Sequence, residues 1–547
     1  MSSLETLLAH EIFTTLDRHL ARAIVSAAKP ADHPEAHCLL GYAAALASAA
    51  LRHGHICLEL SDPPDFFDSD SPVLTPWPDL KIWRASLEAS GVVAKTDAAF
   101  LPLVLDDDGR LYLHRYREYE TELVAAISHL AATRRVQLIV GGPGTGKTTR
   151  ILQEIASFVA RNPESHIVLA APTGKAATRM EESIRTGLTK LDASQAVRER
   201  IPQTASTLHR LLGSRGDSAF FRHHVDNPLP ADLVIIDEAS MVDLPLMAKL
   251  FRALKPTAEL ILVGDPDQLA SVEAGAVLAD IATAAQSSSA DHDLGRALIT
   301  LDKQFRYSTE SGIGRLCNAI RAGDGEAAAE ILNGKYPDVR LRSLPDRHAL
   351  AERLSENEAV RNLFKALGRV EPGEILQGLG RGRILCPTRL GPYGVETINE
   401  IIEKSIVRSS LQTNDKNSGR PIVLTRNDYG LQLFNGDSGV VLSELQNGTP
   451  QAFFIGRAGD VRRLPIVRLP PNETAYAMTV HRSQGSEFDQ VLIILPPIRS
   501  PVLTRELLYT AVSRARADVE IWGDPEILRW ICTRRVRRAS GLAARLV

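Results

Sequence analysis

The stretch Val136-Gln-Leu-Ile-Val-Gly-Gly-Pro-Gly-Thr-Gly-Lys-Thr-Thr149 joins a short apolar run to a glycine-rich turn, and Thr149-Arg-Ile-Leu152 opens an apolar-periodic helix. It is G-x-x-x-x-G-K-T in the strand–loop–helix setting that the pattern requires. Gly141, Gly142, Gly144 and Gly146, with Pro143 and Thr145 between them, let backbone N–H groups turn inward around phosphate oxygens. The N-terminus of the following helix adds its positive end. Lys147 supplies a point charge to the β- and γ-phosphates, the Thr148 hydroxyl is a ligand for Mg2+, and Thr149 completes the cradle. The expected cofactors are ATP and Mg2+. A second Gly-Lys pair, in Thr173-Gly-Lys-Ala176, has no glycine five residues earlier and no hydroxyl after the lysine. It is not read as another nucleotide site.

Outward from this turn, apolar runs recur at Ile167–Ala171, Leu233–Ile236 and Leu260–Val263, each followed by a polar turn and a helical pattern. Strands alternating with helices imply a parallel sheet with its function at the strand carboxyl ends. Ile384–Cys386, Val491–Leu495 and Val519–Trp522 predict a second sheet of the same kind. The fold class is therefore α/β with two parallel-sheet P-loop domains. Between them Pro421–Leu469 alternates apolar and polar residues, and Asn435-Gly436 lies between Leu431–Phe434 and Val440–Leu442. That is a hairpin signal, so a small β-barrel is expected over about 405–470. Residues 1–112 show helical spacing in Glu11–Ser26 and Cys38–Leu51, with a loop-like cluster at Ser61–Pro78. The expected domains are 1–112, helical; 113–320, the first ATPase half; and 321–547, the second.

Leu233-Val-Ile-Ile-Asp-Glu238 ends a strand in two acids beside the phosphate loop. Asp237 would hold Mg2+ through its water shell and Glu238 would polarise the attacking water. Gln268, after Leu260-Ile-Leu-Val-Gly-Asp265, is placed to sense the γ-phosphate. Arg306, in Gln304-Phe-Arg306, and Arg514, in Tyr509-Thr-Ala-Val-Ser-Arg514, come from outside the phosphate-loop half; Arg516 follows two residues later. Such arginines stabilise a transferring γ-phosphoryl group only when a cleft between two halves closes, as a stepping motor needs. A surface salt bridge is the alternative reading of each.

In this order, Gly141–Thr149, Ala171–Ala177, Ile236–Met241, Gly264–Gln268, Gln304–Arg306, Thr479–Phe488 and Tyr509–Arg514 resemble the motif series of superfamily 1 helicases. Ser206–Gly213, Ala270–Ala276, Cys386–Gly394, Leu433–Gly439, Arg538–Ala543 and the region around Ala44–Leu60 are similar to the RecD group. The resemblance implies RecA-like halves, an SH3-like inserted barrel and an N-terminal domain that docks a partner. It implies 5′→3′ movement on one strand at duplex DNA ends, beside RecB-like and RecC-like subunits. It also implies nucleotide contacts from Gly485 and Glu487, and a single-strand channel lined by Pro172, Thr173, Thr479 and His481 with charge from Lys175 and Arg482. A capped helix start is the alternative at the threonines. The family's adenine-reading glutamine upstream of the loop has no counterpart, because Gln137 lies too close. Gly213–Pro230, with Phe220-Phe-Arg-His-His224, reads either as a strand-separating hairpin or as a plain loop. A stand-alone or conjugative-type helicase, and a regulatory ATPase subunit, remain as alternatives.

Composition is compatible with this. A net charge of −3 does not announce a nucleic-acid binder, but a strand held in an internal groove needs only local positive charge. Five scattered cysteines without a C-x-x-C pair read as reduced thiols. The N-terminus lacks a cationic leader and Cys38–Leu51 falls short of a membrane span, so a cytoplasmic protein without membrane contact is expected. No separate acidic cluster suggests a nuclease site. The Arg-rich Arg529–Arg538 reads equally as a solvated helix face or as a contact surface.

Overall fold

Val136–Gly141 is the second strand of a six-stranded sheet whose order is Leu298–Leu301, Val136–Gly141, Glu259–Gly264, Leu233–Ile236, Ile167–Ala171 and Ser206–Thr207. Every neighbouring pair is parallel. The computed structural model describes residues 4–547 except 31–33, 65, 68–76, 96–99, 216, 217, 219, 290, 291, 308–310, 370, 414–418, 429, 443–449, 457 and 458. The central strands are apolar throughout because helices cover both faces of the sheet. Leu138, Val234, Ile236, Leu260 and Leu262 pack into one core, and Ile139, Leu233, Ile235, Ile261 and Val263 into the other. Helix Lys147–Arg161 lays Ile151, Leu152, Ile155, Phe158 and Val159 on the second of these.

The second sheet is also all-parallel, ordered Val339–Arg342, Ala515–Trp522, Phe488–Ile494, Gly382–Cys386 and Ala477–Thr479. Leu385, Val491, Ile493, Val519 and Ile521 face one core, and Ile384, Cys386, Leu492, Ile494 and Trp522 the other. The outer strands Leu298–Leu301 and Val339–Arg342 escape the sequence reading, since neither is a continuous apolar run: Thr300 interrupts the first and arginine alternates through the second.

The insertion is a five-stranded antiparallel sheet, ordered Val461–Pro465, Gln451–Ile455, Ser438–Leu442, Arg420–Leu424 and Asn472–Thr474. Ile422, Leu424, Leu433, Val441, Ala452 and Phe454 form its own core. The expected hairpin arms need correction. Ser438–Leu442 pairs with Arg420–Leu424, and Leu431–Phe434 is a loop in which Leu433 bridges Asp428. Asn435-Gly436 does reverse the chain, with Gly436 at φ 91° and the Asp437 N–H donating to the Phe434 carbonyl at 3.0 Å. The longer loop brings Phe434 onto Gly174, where an added β-carbon would lie 2.5 Å from the ring.

The N-terminal region contains helices Thr15–Ala27, Pro34–Arg52 and Leu80–Ala89 around the buried Trp83. It also contains a four-stranded sheet of Leu58–Glu59, Arg110–Leu113, Leu103–Leu105 and Val93–Ala94, strands too short to display a period of two. Most of the Ser61–Pro78 loop (65 and 68–76) lies outside the described residues. In the Gly213–Pro230 segment Ser214 bridges Phe221 and His224 bridges Asn227, while 216, 217 and 219 lie outside the described residues.

The last segment of the chain leaves the second sheet and packs on the first half. Ile56 donates to the Ala539 carbonyl at 2.8 Å, and Leu542 and Leu546 enter the first core. Arg537 pairs with Glu59 at 3.2 Å, and Arg538 Nη2 donates to the Ser271 carbonyl at 3.2 Å.

Candidate active site

The turn after Val136–Gly141 holds Gly144 at φ 78° and Gly146 at φ 87°, a left-handed conformation that side chains resist. Gly144 also touches Arg306 so closely that a β-carbon has no room. The Gly144 carbonyl accepts the Phe305 N–H at 2.8 Å, which fastens the Gln304–Arg306 segment to the phosphate loop. Lys147 Nζ donates to the Gly141 and Gly142 carbonyls at 2.7 and 3.1 Å. The ammonium thus lies within the curve of its own loop.

A cleft of about 820 Å³ opens on this loop. Pro143, Gly144, Thr145, Gly146, Lys147, Thr148 and Thr149 form one wall. Asp237, Glu238 and Gln268 from the same half, and Glu487 and Arg514 from the second sheet, complete it with Arg306. Strand topology explains the convergence: each of these first-half residues follows the carboxyl end of a parallel strand. Glu238 takes φ 51°, and its N–H donates to Asp237 Oδ1 at 2.9 Å. Burial, with Glu238 adjacent, pushes the Asp237 carboxyl up to about 6. Burial likewise raises Asp265. Thr148 and Asp237 offer oxygen donors on one wall, the chemistry that Mg2+ takes when phosphates supply its other ligands.

The halves are joined across the cleft by specific bonds. Arg514 Nη2 donates to Gln268 Oε1 at 2.8 Å, and Tyr509 donates from its hydroxyl to Asp265 Oδ2 at 2.9 Å. The Leu269 N–H donates to Thr510 Oγ1 at 2.9 Å, while Gln484 Nε2 donates to the Leu269 carbonyl at 3.0 Å. Glu487 receives Arg306, Arg179 and, at 3.0 Å, Arg516. Gly485, at φ 69°, lies against the backbone of Ala176 rather than on the cleft wall. Arg179, Tyr509 and Phe305 belong to this assembly and were not legible as such. The Phe305 ring is 67% exposed and lies beside Gly146.

Pro172, Thr173, Thr479 and His481 sit at the carboxyl ends of Ile167–Ala171 and Ala477–Thr479. Thr173 Oγ1 accepts the Ala176 N–H at 3.2 Å and Thr479 Oγ1 accepts the Arg482 N–H at 3.4 Å, so both also serve as caps. Burial lowers His481, with Arg538 adding to the shift. Arg482 is paired with Glu473 at 2.5 Å. Lys175 lines a separate groove of about 740 Å³ with Phe434 and Arg383, and burial pushes its ammonium down to about 8.

The chain matches three family descriptions: "RecBCD enzyme subunit RecD, N-terminal domain" over 9–112, "AAA domain" over 124–274 and "UvrD-like helicase C-terminal domain" over 474–521. The RecBCD enzyme subunit RecD of Mycolicibacterium smegmatis is 37% identical, with 98% of each chain covered. That of Mycobacterium tuberculosis is 38% identical over 97% of this chain and 94% of its own. The chain belongs to the RecD family. It is an ATP-dependent helicase of that family, and of superfamily 1 within which the family falls. The crystal structure of the Pif1 helicase from Candida albicans is 19% identical over 74% of this chain and 93% of that one, with a TM-score of 0.37. Among the described residues no helix is long and apolar enough to cross a membrane.

Proposed function

We propose that this RecD-family chain is the 5′→3′ translocating subunit of a RecBCD-type exonuclease V, working on single strands at duplex DNA ends beside RecB-like and RecC-like subunits. The observation that carries the motor reading is Arg514 of the second sheet reaching Gln268 across the phosphate-loop cleft. Lys147 and the loop amides bind the triphosphate. Thr148 and Asp237 would hold Mg2+, which would supply positive charge to offset the charge developing on the phosphate oxygens. Water attacks the γ-phosphorus as its bond to the bridging oxygen breaks, ADP and phosphate leave, and Glu238 takes the water's proton. Gln268, Arg306 and Arg514 stabilise the charge that spreads over the γ-phosphoryl oxygens. Pro172, Thr173, Thr479 and His481 contact the strand by groups common to every nucleotide. Lys175 and Arg482 join them once released from their present surroundings.

The units 1–112, 113–320 and 321–547 are read as a partner-docking region and two RecA-like halves, and the antiparallel insert as an SH3-like barrel supported by its own core. Unwinding of 5′-tailed and 3′-tailed duplexes by the purified chain and its Lys147→Gln variant tests the proposal. ATP-dependent opening of the 5′-tailed substrate alone, lost in the variant, is expected. Opening of 3′-tailed substrates, or opening that survives in the variant, contradicts it.

A second feature favours a strand-separating role for the Gly213–Pro230 segment. Phe221 is anchored beside His209 and beneath Lys249, while the neighbouring Phe220 is 75% exposed. Removing Ser218–His224 is expected to abolish unwinding and leave DNA-stimulated hydrolysis. Loss of both activities contradicts it.

A further inference from the structure

Helix Gly174–Leu188 starts at the Thr173 cap and, six residues later, carries Arg179 into the cleft. At about 1.5 Å rise per residue the two lie roughly 9 Å apart on one rigid element. Across the cleft Arg179 is ion-paired with Glu487, whose side chain is only 8% exposed. Glu487 in turn lies eight residues after Thr479, beyond the tight turn His481–Ser483 and Gly485. Each end of this ion pair is thus connected by a short, stiff stretch to a threonine assigned above to DNA.

The charge around Glu487 is out of balance. The carboxylate is shared by Arg179, Arg306 and Arg516, and Arg514 Nη1 donates to the adjoining Ser486 carbonyl at 3.4 Å. From the first half Asp237 and Glu238 also face Arg179, while Arg306 and Arg514 repel it. Arg306 Nη1 is buried with no hydrogen-bond partner among the described residues. A buried donor of this kind can take up an acceptor brought by a ligand. A triphosphate brings several negative charges to the same volume, and one carboxylate brings a single one.

We propose that the Arg179–Glu487 pair couples DNA to hydrolysis: it holds Arg179 and Arg306 off the triphosphate while no strand is bound, and strand binding hands both guanidinium groups to the γ-phosphate. This rests on the reading of the cleft and of Thr173 and Thr479 given above. Glu487 is then a positioning residue that restrains the DNA-free rate, and Arg179 contributes once DNA is bound.

The test is ATP hydrolysis by the full chain with and without oligo(dT), at saturating ATP, together with oligo(dT) affinity in the absence of nucleotide. Site-to-site coupling is typically worth about 5- to 150-fold. Arg179→Gln is expected to lower the stimulation by oligo(dT) about tenfold while nucleotide-free oligo(dT) affinity stays within about twofold. Glu487→Gln is expected to raise the DNA-free rate several-fold. The double variant should show less than the product of the two effects, because the residues act as a pair. Unchanged stimulation in both single variants overturns the proposal, as does an Arg179→Gln loss matched by equal loss of oligo(dT) affinity. If Arg179→Gln does not fold, an unchanged DNA-free rate in Glu487→Gln is enough to overturn it. A wild-type chain that ignores oligo(dT) would instead overturn the reading of the cleft on which the proposal rests.

Discussion

Arg514 and Gln268, one from each half, form a 2.8 Å hydrogen bond in which both side chains are buried, at 2% and 5% exposure. A buried guanidinium in a hydrogen-bonded interface is not a surface salt bridge. The bond links the glutamine proposed to sense the γ-phosphate in one half to the arginine proposed to stabilise that phosphate from the other.

Arg514→Ala should therefore reduce DNA-stimulated ATP hydrolysis by about 10³-fold or more, the usual consequence of losing an arginine of this kind. Arg514→Lys should recover little, since an ammonium lacks the planar fork. Steady-state phosphate release at saturating ATP and oligo(dT) measures both. A loss under about tenfold would remove Arg514 from the transition state.

Tyr509→Phe deletes the hydroxyl that donates to Asp265 at 2.9 Å. Asp265 keeps its bonds from Gln268 Nε2 and the Asp267 N–H, both at 3.1 Å, so the cost should be about 1–2 kcal/mol rather than collapse. Denaturant unfolding with a two-state fit measures it. No measurable change would mean that the bond contributes nothing to joining the halves.

Asp237 gives a pH signature. Its carboxyl is raised from 3.8 to about 6 by burial, so the folded, nucleotide-free chain holds this proton more tightly than the unfolded chain does. The contribution to stability is complete below the unfolded value near 3.8 and is lost as pH rises through about 6. Above that, the buried charge lowers stability. Asp237→Asn should stabilise the nucleotide-free protein near about pH 7.5, with the gain fading through this window. Unfolding free energies of both proteins across it test the sign, and a variant destabilised near neutrality would refute the assignment. The same variant should lose Mg2+-dependent hydrolysis.

The C-terminal helix Leu542–Leu546 should be required for the stability of the first half. Leu542 is fully buried, and Glu120 accepts the Gly541 N–H at 3.0 Å and pairs with Arg545 at 3.3 Å. Leu542→Ala should cost about 2–5 kcal/mol by opening a cavity in that core. A thermal or denaturant midpoint equal to that of the wild type would show that the segment is dispensable.

Much of the site is legible because phosphate chemistry constrains neighbouring residues. A backbone that must curl around oxygens needs glycines in fixed spacing, with a lysine and a hydroxyl directly after them, so Gly141–Thr149 can be read without a structure. Asp237-Glu238 becomes readable once a strand is recognised before it. Arg179 is different: an arginine in the middle of an amphipathic helix has the pattern of a solvated face, and its partner Glu487 is far away in the chain. The pairing of Arg420–Leu424 with Ser438–Leu442 is hidden in the same way, because Asn435-Gly436 points to a nearer partner.

By itself, then, the sequence determined the glycine-rich loop, the acids beside it and the central strands of the two parallel sheets, since each is written in contiguous residues whose spacing follows a local geometry; the family came from the resemblance of its motifs. Tertiary structure alone decided which side chains face one another across the cleft: Gln268 with Arg514, Asp265 with Tyr509, and Glu487 with Arg179, Arg306 and Arg516. It also sent the chain's last segment back onto the first half. Those pairings depend on how two separately formed sheets dock and bury their charges, and local spacing carries no record of that.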